Sequence, residues 1–134
     1  MYDPEAEARR WLKAAKDDLA CARHLAGAGF HAPACFHAQQ AAEKAIKAVH
    51  YRKGARVVIG HSVRALVESL DPREPVLDAL LDAARDLDLL YLPTRYPNGL
   101  ETGTPAEAFS QRQSEAALGL ADRIVRAAAP LAGC

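Results

Sequence analysis

The sequence predicts an all-α protein, an up-and-down bundle of four long helices plus one short helix. Three observations predict it. Proline recurs where helices would begin, in "DPEAEA", "APAC", "DPREPV" and "TPAEAF"; the first helical position tolerates it best, because no intrahelical N–H bond is lost there. Glycine recurs where helices would stop, at Gly27, Gly29, Gly54 and Gly133. Strand signals are nearly absent, since "RVVIG" is the only β-branched run and is too short to carry a sheet alone.

Between these marks the predicted helices run over about 3–27, 32–53, 62–70, 74–92 and 105–131, the third being the short one. The first opens at Pro4 and ends at the Gly27/Gly29 pair. The second has two faces at 100° per residue. Ala38, Ala41, Ala42, Ala45, Ala48 and Val49 cover one side, where small side chains let a neighbouring helix come close. Phe36, Gln40, Glu43, Lys47 and His50 cover the other, and Glu43 and Lys47 are oriented for an i,i+4 ion pair. That mixed stripe is either a wet surface, one wall of a cleft or a dimer seam. His61 precedes or caps the third helix. In the fourth, an apolar line through Leu77, Leu81 and Ala84 continues into Asp88 and Tyr91, so the core-facing stripe turns polar at its C-terminal end. A buried carboxylate there needs a partner, and Arg95 and the tyrosine hydroxyls are the nearest candidates in sequence. The fifth starts at Thr104, Pro105 and Glu107, close to a full capping box.

Composition narrows the function classes. At 134 residues the chain fits a single domain spanning 1–134, large enough to bury a core without staples. Half the residues are hydrophobic, a quarter are charged and the formal net charge is zero, so global electrostatics recruit neither nucleic acid nor membrane. Locally the balance is uneven: Lys44 to Val67 contains six cations and no acid, whereas Glu68 to Asp88 holds seven acids against Arg73 and Arg85. These are two solvated surfaces that balance, a cationic face able to hold phosphate, or complementary segments for self-association. The three cysteines, Cys21, Cys35 and Cys134, show no CxxC spacing and suit a reducing cytosol. The charged start "MYDPEAEARRWLKAAKDD" is no secretory signal, and no stretch approaches the roughly 20 apolar residues of a membrane span. A soluble, cytoplasmic protein is expected. P-loop, HExxH and Gly-rich dinucleotide motifs are absent, and His31, His37 and His50 lack metal-ligand spacing, so neither a cofactor nor a metal is implied.

One stretch departs from the rest. "YLPTRYPNG" (91–99) packs two tyrosines, an arginine and two prolines into a turn. It is either an Asp88–Arg95–tyrosine corner that fastens the bundle, or an arginine held in a fixed pose to meet phosphate.

Four segments together, "WLKAAKDDLACARHLA" (11–26), "CFHAQQAAEKAIKAV" (35–49), "GHSVRALVESL" (60–70) and "YLPTRYPNG", resemble a HEPN domain from Trp11 to about Ile124. The second-helix motif and the Arg-Tyr-Pro turn carry the resemblance jointly. It looks like the stand-alone prokaryotic kind often encoded beside a minimal nucleotidyltransferase. The resemblance implies a homodimeric helical bundle acting on nucleotides or RNA, in a toxin–antitoxin-type pair with that nucleotidyltransferase. Arg95 would contact phosphate, Tyr96 or Tyr91 would stack or hydrogen-bond, and Lys47 or His61 would complete the pocket. Ribonuclease members carry Arg, four to six residues, then His; histidine moves a proton at the ribose 2′-hydroxyl and arginine stabilises charge on phosphate. After Arg95 those places hold Leu100, Glu101 and Thr102 instead. Arg56 and His61 have the right spacing, but chance alone predicts about one such match in a chain of this composition, and they lie away from the Arg-Tyr-Pro turn. The alternatives to a binding subunit are a divergent metal-independent ribonuclease, with its histidine brought from elsewhere in the dimer, and a non-catalytic dimerisation module.

Overall fold

The computed structural model describes residues 1–133 and is all-α. Helices α1 (Pro4–Gly27), α2 (His31–Arg52) and α7 (Gln111–Leu131) form the long members of the bundle. Shorter helices α3 (Val63–Glu68), α4 (Pro75–Asp78), α5 (Leu81–Asp88) and α6 (Pro105–Ala108), with a 3-10 turn at Pro97–Gly99, complete it. The first helix starts as its sequence dictates: Asp3 accepts hydrogen bonds from the Glu5 and Ala6 amides, both at 3.1 Å, with Pro4 at the first helical position.

Helix α2 lies at the centre, packed against both α1 and α7. Its alanine side is fully buried, Ala38, Ala41, Ala42, Ala45 and Ala48 all at 0% exposure. The core around it gathers Leu12 and Leu19 of α1, Ile46 and Val49 of α2, Leu77, Leu87, and Ile124 of α7. Burying each large aliphatic side chain contributes about 1.5–3 kcal/mol.

Two expected helices are shorter than their sequence periodicity suggests. The fourth is realised as α4 and α5, separated at Ala79–Leu80, and ends at Asp88. From there the chain turns through 89–96, since Pro93 has no amide to continue the ladder. The fifth stops after one turn at Phe109 and restarts at Ser110, whose hydroxyl accepts from the Gln113 amide while Gln113 Oε1 accepts from the Ser110 amide.

The basic run between 44 and 64 is not a free cationic face. Lys44 reaches Asp18 (2.6 Å), Lys47 reaches Glu43 (3.1 Å), Arg52 reaches Glu5 (2.8 Å), Lys53 reaches Glu74 (2.7 Å) and Arg64 pairs with Glu68. Lys53–Glu74 and Arg64–Glu68 tie the basic run to the acidic one within the chain. Cys35 is buried and Cys21 exposed, both free thiols; Cys134 lies outside the described residues. Among the described residues no helix is long and apolar enough to cross a membrane.

Candidate functional site

The middle of the mixed stripe of α2 is covered, while Phe36, Gln40 and His50 on the same stripe are half-buried. Glu43 and Lys47 are only 3% and 6% exposed, and Gln39 beside them is 0% exposed. Buried charges need partners, and Glu43 has four. Its Oε2 accepts from Lys47 Nζ (3.1 Å), and its Oε1 from Gln39 Nε2 (3.3 Å), Gln40 Nε2 (3.4 Å) and His61 Nδ1 (3.3 Å). Gln39 Nε2 also donates to the His61 carbonyl at 3.0 Å, fastening the 54–62 loop across the stripe. A carboxylate can only accept, so His61 donates from Nδ1. In the neutral ring the lone pair then sits on Nε2. The His61 side chain is 58% exposed.

His61 lies against Tyr91, with ring centroids 4.6 Å apart and planes 16° from parallel. The same tyrosine supports Arg95. The guanidinium carbon sits 4.6 Å from the Tyr91 ring centroid, 4.5 Å from that of Phe36 and 5.0 Å from that of Tyr96. Each such contact is worth about 0.5–1 kcal/mol when exposed and more when desolvated. Arg95 Nε donates to the Tyr91 carbonyl at 3.1 Å. No carboxylate pairs with Arg95 among the described residues, and its charge is held by ring faces.

The turn itself is tightly built. Thr94, 4% exposed, donates its hydroxyl to the Leu90 carbonyl. Gly99 comes so close to Pro93 that a Cβ there would stand 3.1 Å from Pro93 Cα. The "PNG" that follows Tyr96 thus closes the turn against Pro93.

Asp88 corrects the sequence expectation. Its carboxylate meets neither Arg95 nor a tyrosine hydroxyl. It accepts from the Val63 amide (2.6 Å), the Ser62 hydroxyl (2.7 Å) and the Arg64 amide (3.2 Å) at the start of α3. The unpaired amides of a helix N-terminus attract a carboxylate more strongly than a distant side chain can. Asp88 consequently fixes the position of the residue just before Ser62, which is His61.

Of the six residues singled out from sequence, Arg95, Tyr91, Tyr96 and His61 meet around the Tyr91 and Arg95 side chains. Lys47 joins through Glu43, and Asp88 acts through α3. Glu43, Phe36 and Gln39 are members that the sequence reading left outside its site; Glu43 and Phe36 were signalled by the mixed stripe of the second helix, whereas Gln39, off that stripe, carried no signal. Arg56 stands apart, its guanidinium 4.7 Å over the Tyr2 ring, so Arg56 and His61 do not form a joint constellation.

Comparisons with known proteins agree with this architecture. A family model described as the HEPN domain matches residues 8–130. The protein TT1696 of Thermus thermophilus is similar in structure, with 39% identity, a TM-score of 0.86, and coverage of 93% of this chain and 98% of that one. An archaeal HEPN homologue, ST0689, is 32% identical with a TM-score of 0.78, covering 94% and 98%. An HEPN domain protein of Thermotoga maritima is 37% identical with a TM-score of 0.70, covering 91% and 96%. No functionally curated protein matches the chain. An all-α bundle with a buried polar stripe on α2, matched over nearly its whole length by the HEPN model and by HEPN structures, belongs to the HEPN domain family.

Proposed function

We propose that this chain, as a single cytoplasmic HEPN domain, is a nucleotide- or RNA-binding subunit working as a homodimer with a minimal nucleotidyltransferase in a toxin–antitoxin-type pair. One observation carries the binding role: Arg95 is held by three aromatic rings and, among the described residues, by no carboxylate. An arginine oriented in this way meets a phosphate without first breaking an ion pair, while Tyr96, half-exposed at 48%, offers a face to a base. Homodimerisation is supported by the large apolar side chains exposed beside the site in sequence, Ile59 at 85%, Leu89 at 73% and Leu92 at 55%.

The experiment is the thermal midpoint of wild type and Arg95→Ala, each with and without ATP, other nucleotides and a short RNA. A ligand at 100 times its dissociation constant adds about 2.7 kcal/mol and several degrees. Stabilisation of wild type alone supports the binding site. A low-melting Arg95→Ala with no ligand response in either protein supports a dimerisation module fastened by the Arg95 turn.

A ribonuclease reading is favoured by one specific feature, the Glu43-oriented His61 on the same tyrosine as Arg95. In that chemistry His61 Nε2 takes the 2′-hydroxyl proton, the 2′-oxygen bonds to phosphorus and the P–O5′ bond breaks. Arg95 stabilises the charge on the phosphoryl oxygens, and the leaving 5′-oxygen takes a proton from water. Cleavage of RNA in a metal-chelating buffer, lost in His61→Ala, decides for it.

A further inference from the structure

A cavity lies outside the Arg95 site, along the same helix. It is a groove of about 290 Å³ between α1 and α2, lined by Glu7, Arg10, Trp11, Ala14 and Lys44. Trp11 is the only tryptophan of the chain. Its ring stacks on Tyr51 with centroids 5.3 Å apart and planes at 29°, and Lys47 Nζ stands 5.7 Å from its centroid. Trp11 Nε1 donates to Glu7 Oε1 at 3.0 Å, and Arg10 Nη1 donates to Glu7 Oε2 at 3.0 Å. The indole is thereby fixed as a wall of the groove.

The groove is not a phosphate site. Each cation around it already has a carboxylate: Arg10 has Glu7, Lys44 has Asp18 and Lys47 has Glu43. Charge is close to balanced, whereas an aromatic platform stands beside both hydrogen-bond donors and acceptors. That combination suits a nucleobase, which offers a π-face and an edge of mixed donors and acceptors, better than a bare anion.

Its distance from the Arg95 site fits a chain of nucleotides. Phe36 belongs to the Arg95 cradle and Lys44 to the groove, eight residues apart on α2, or about 12 Å at the helical rise. Gln40 lies between them. At 100° per residue Phe36, Gln40 and Lys44 fall within an arc of about 80°, on one side of the helix. Twelve ångströms is three to four nucleotide steps at roughly 3.4 Å per stacked step. We propose that the α1–α2 groove is a base-stacking subsite for a single-stranded oligonucleotide whose phosphate, several nucleotides away, is held by Arg95. This rests on the nucleotide-binding reading of Arg95 and extends it, because it makes the ligand a strand and not a mononucleotide.

The tryptophan makes the test direct. AMP and the tetranucleotide r(A)4 are titrated into the full-length protein while Trp11 emission and the thermal midpoint are recorded, then the affinity for r(A)4 is measured with Ala14→Glu, which fills the groove with bulk and negative charge. The proposal expects both ligands to raise the midpoint, Trp11 emission to be quenched by r(A)4 and not by AMP, and Ala14→Glu to weaken r(A)4 about tenfold, the loss of one stacked base, with AMP unaffected. Binding of r(A)4 that leaves wild-type Trp11 emission unchanged overturns the subsite while leaving the Arg95 reading intact. Absence of any midpoint shift with either ligand overturns both. The wild-type emission needs no variant, so it decides the matter even if Ala14→Glu folds poorly.

Discussion

His61 stacks on Tyr91 with ring centroids 4.6 Å apart, and this contact brings the end of the 54–62 loop to the turn that follows α5. The tyrosine ring also supports the Arg95 guanidinium at 4.6 Å. Tyr91 is therefore the shared support of the His61 imidazole and the Arg95 guanidinium.

Tyr91→Phe should keep both supports, because the ring and not the hydroxyl makes the contacts. Tyr91→Ala should release both. The expected outcome is a ligand-induced rise of the thermal midpoint that survives in Tyr91→Phe and disappears in Tyr91→Ala. Equal loss in the two variants would assign the role to the hydroxyl.

Glu43 holds a buried lysine. Replacing it by Gln leaves Lys47, 6% exposed, without its carboxylate, and removing one partner of a buried pair costs about 3–5 kcal/mol. Urea unfolding should show that loss for Glu43→Gln. Glu43→Gln combined with Lys47→Met should recover part of it, since the unpaired charge is gone. If the double variant is no more stable than the single one, the carboxylate matters chiefly for Gln39, Gln40 and His61.

Asp88 and Ser62 together cap α3. Asp88→Ala removes the carboxylate from three donors, two of them backbone amides of the helix start, and should cost about 1–3 kcal/mol. Ser62→Ala should cost about 1 kcal/mol. Because the residues share a hydrogen bond, the two losses should not add. A double-mutant cycle by urea titration checks this, and additive losses would show that the caps act independently.

Burial pushes the Cys35 thiol up to about 11. The folded state thus keeps that proton more tightly than the unfolded chain does. Its contribution to stability is whole below about 9 and is lost as pH rises from there towards 11. In a Cys134→Ser background, a thiol reagent at pH 8 should modify one equivalent, the exposed Cys21, and reach the second only on unfolding. Two equivalents in the native protein would contradict the burial of Cys35.

Much of this was legible in the sequence, for physical reasons that differ by residue. The alanine face of α2 and the proline starts at Pro4, Pro75 and Pro105 are periodic or local signals that read correctly, whereas α2 begins at His31, two residues before Pro33. The Arg95 turn was legible as an anomaly of composition. The partner of Asp88 was not, because sequence proximity favoured Arg95 whereas the donors at the start of α3 lie far back in the chain. Nor was Glu43 as a hub, since an i,i+4 pair with Lys47 looks the same on a wet surface as in a covered stripe. The restart of the last helix at Ser110 was written as Ser-x-x-Gln, a capping box concealed by the stronger helix start just before it.

The geometry of the Arg95 turn depends on one glycine. Gly99 faces Pro93 so closely that an added Cβ would stand 3.1 Å from Pro93 Cα and 3.4 Å from Pro93 N. These are backbone and ring atoms that cannot swing away as a flexible side chain would. Gly99→Ala should therefore push the 3-10 turn off Pro93, at a cost of about 1–3 kcal/mol from overpacking. Tyr96 and Arg95 lie between the two contact points, so the displacement should loosen the aromatic support of the guanidinium as well. The expected result is a lower thermal midpoint together with weaker nucleotide or RNA binding than the stability loss alone explains. Asn98→Ala, one residue earlier on an exposed position, is the control and should change neither. A Gly99→Ala protein that melts early but binds ligand with wild-type affinity at low temperature would show that the turn tolerates the shift and that Arg95 is held by its rings independently of Gly99.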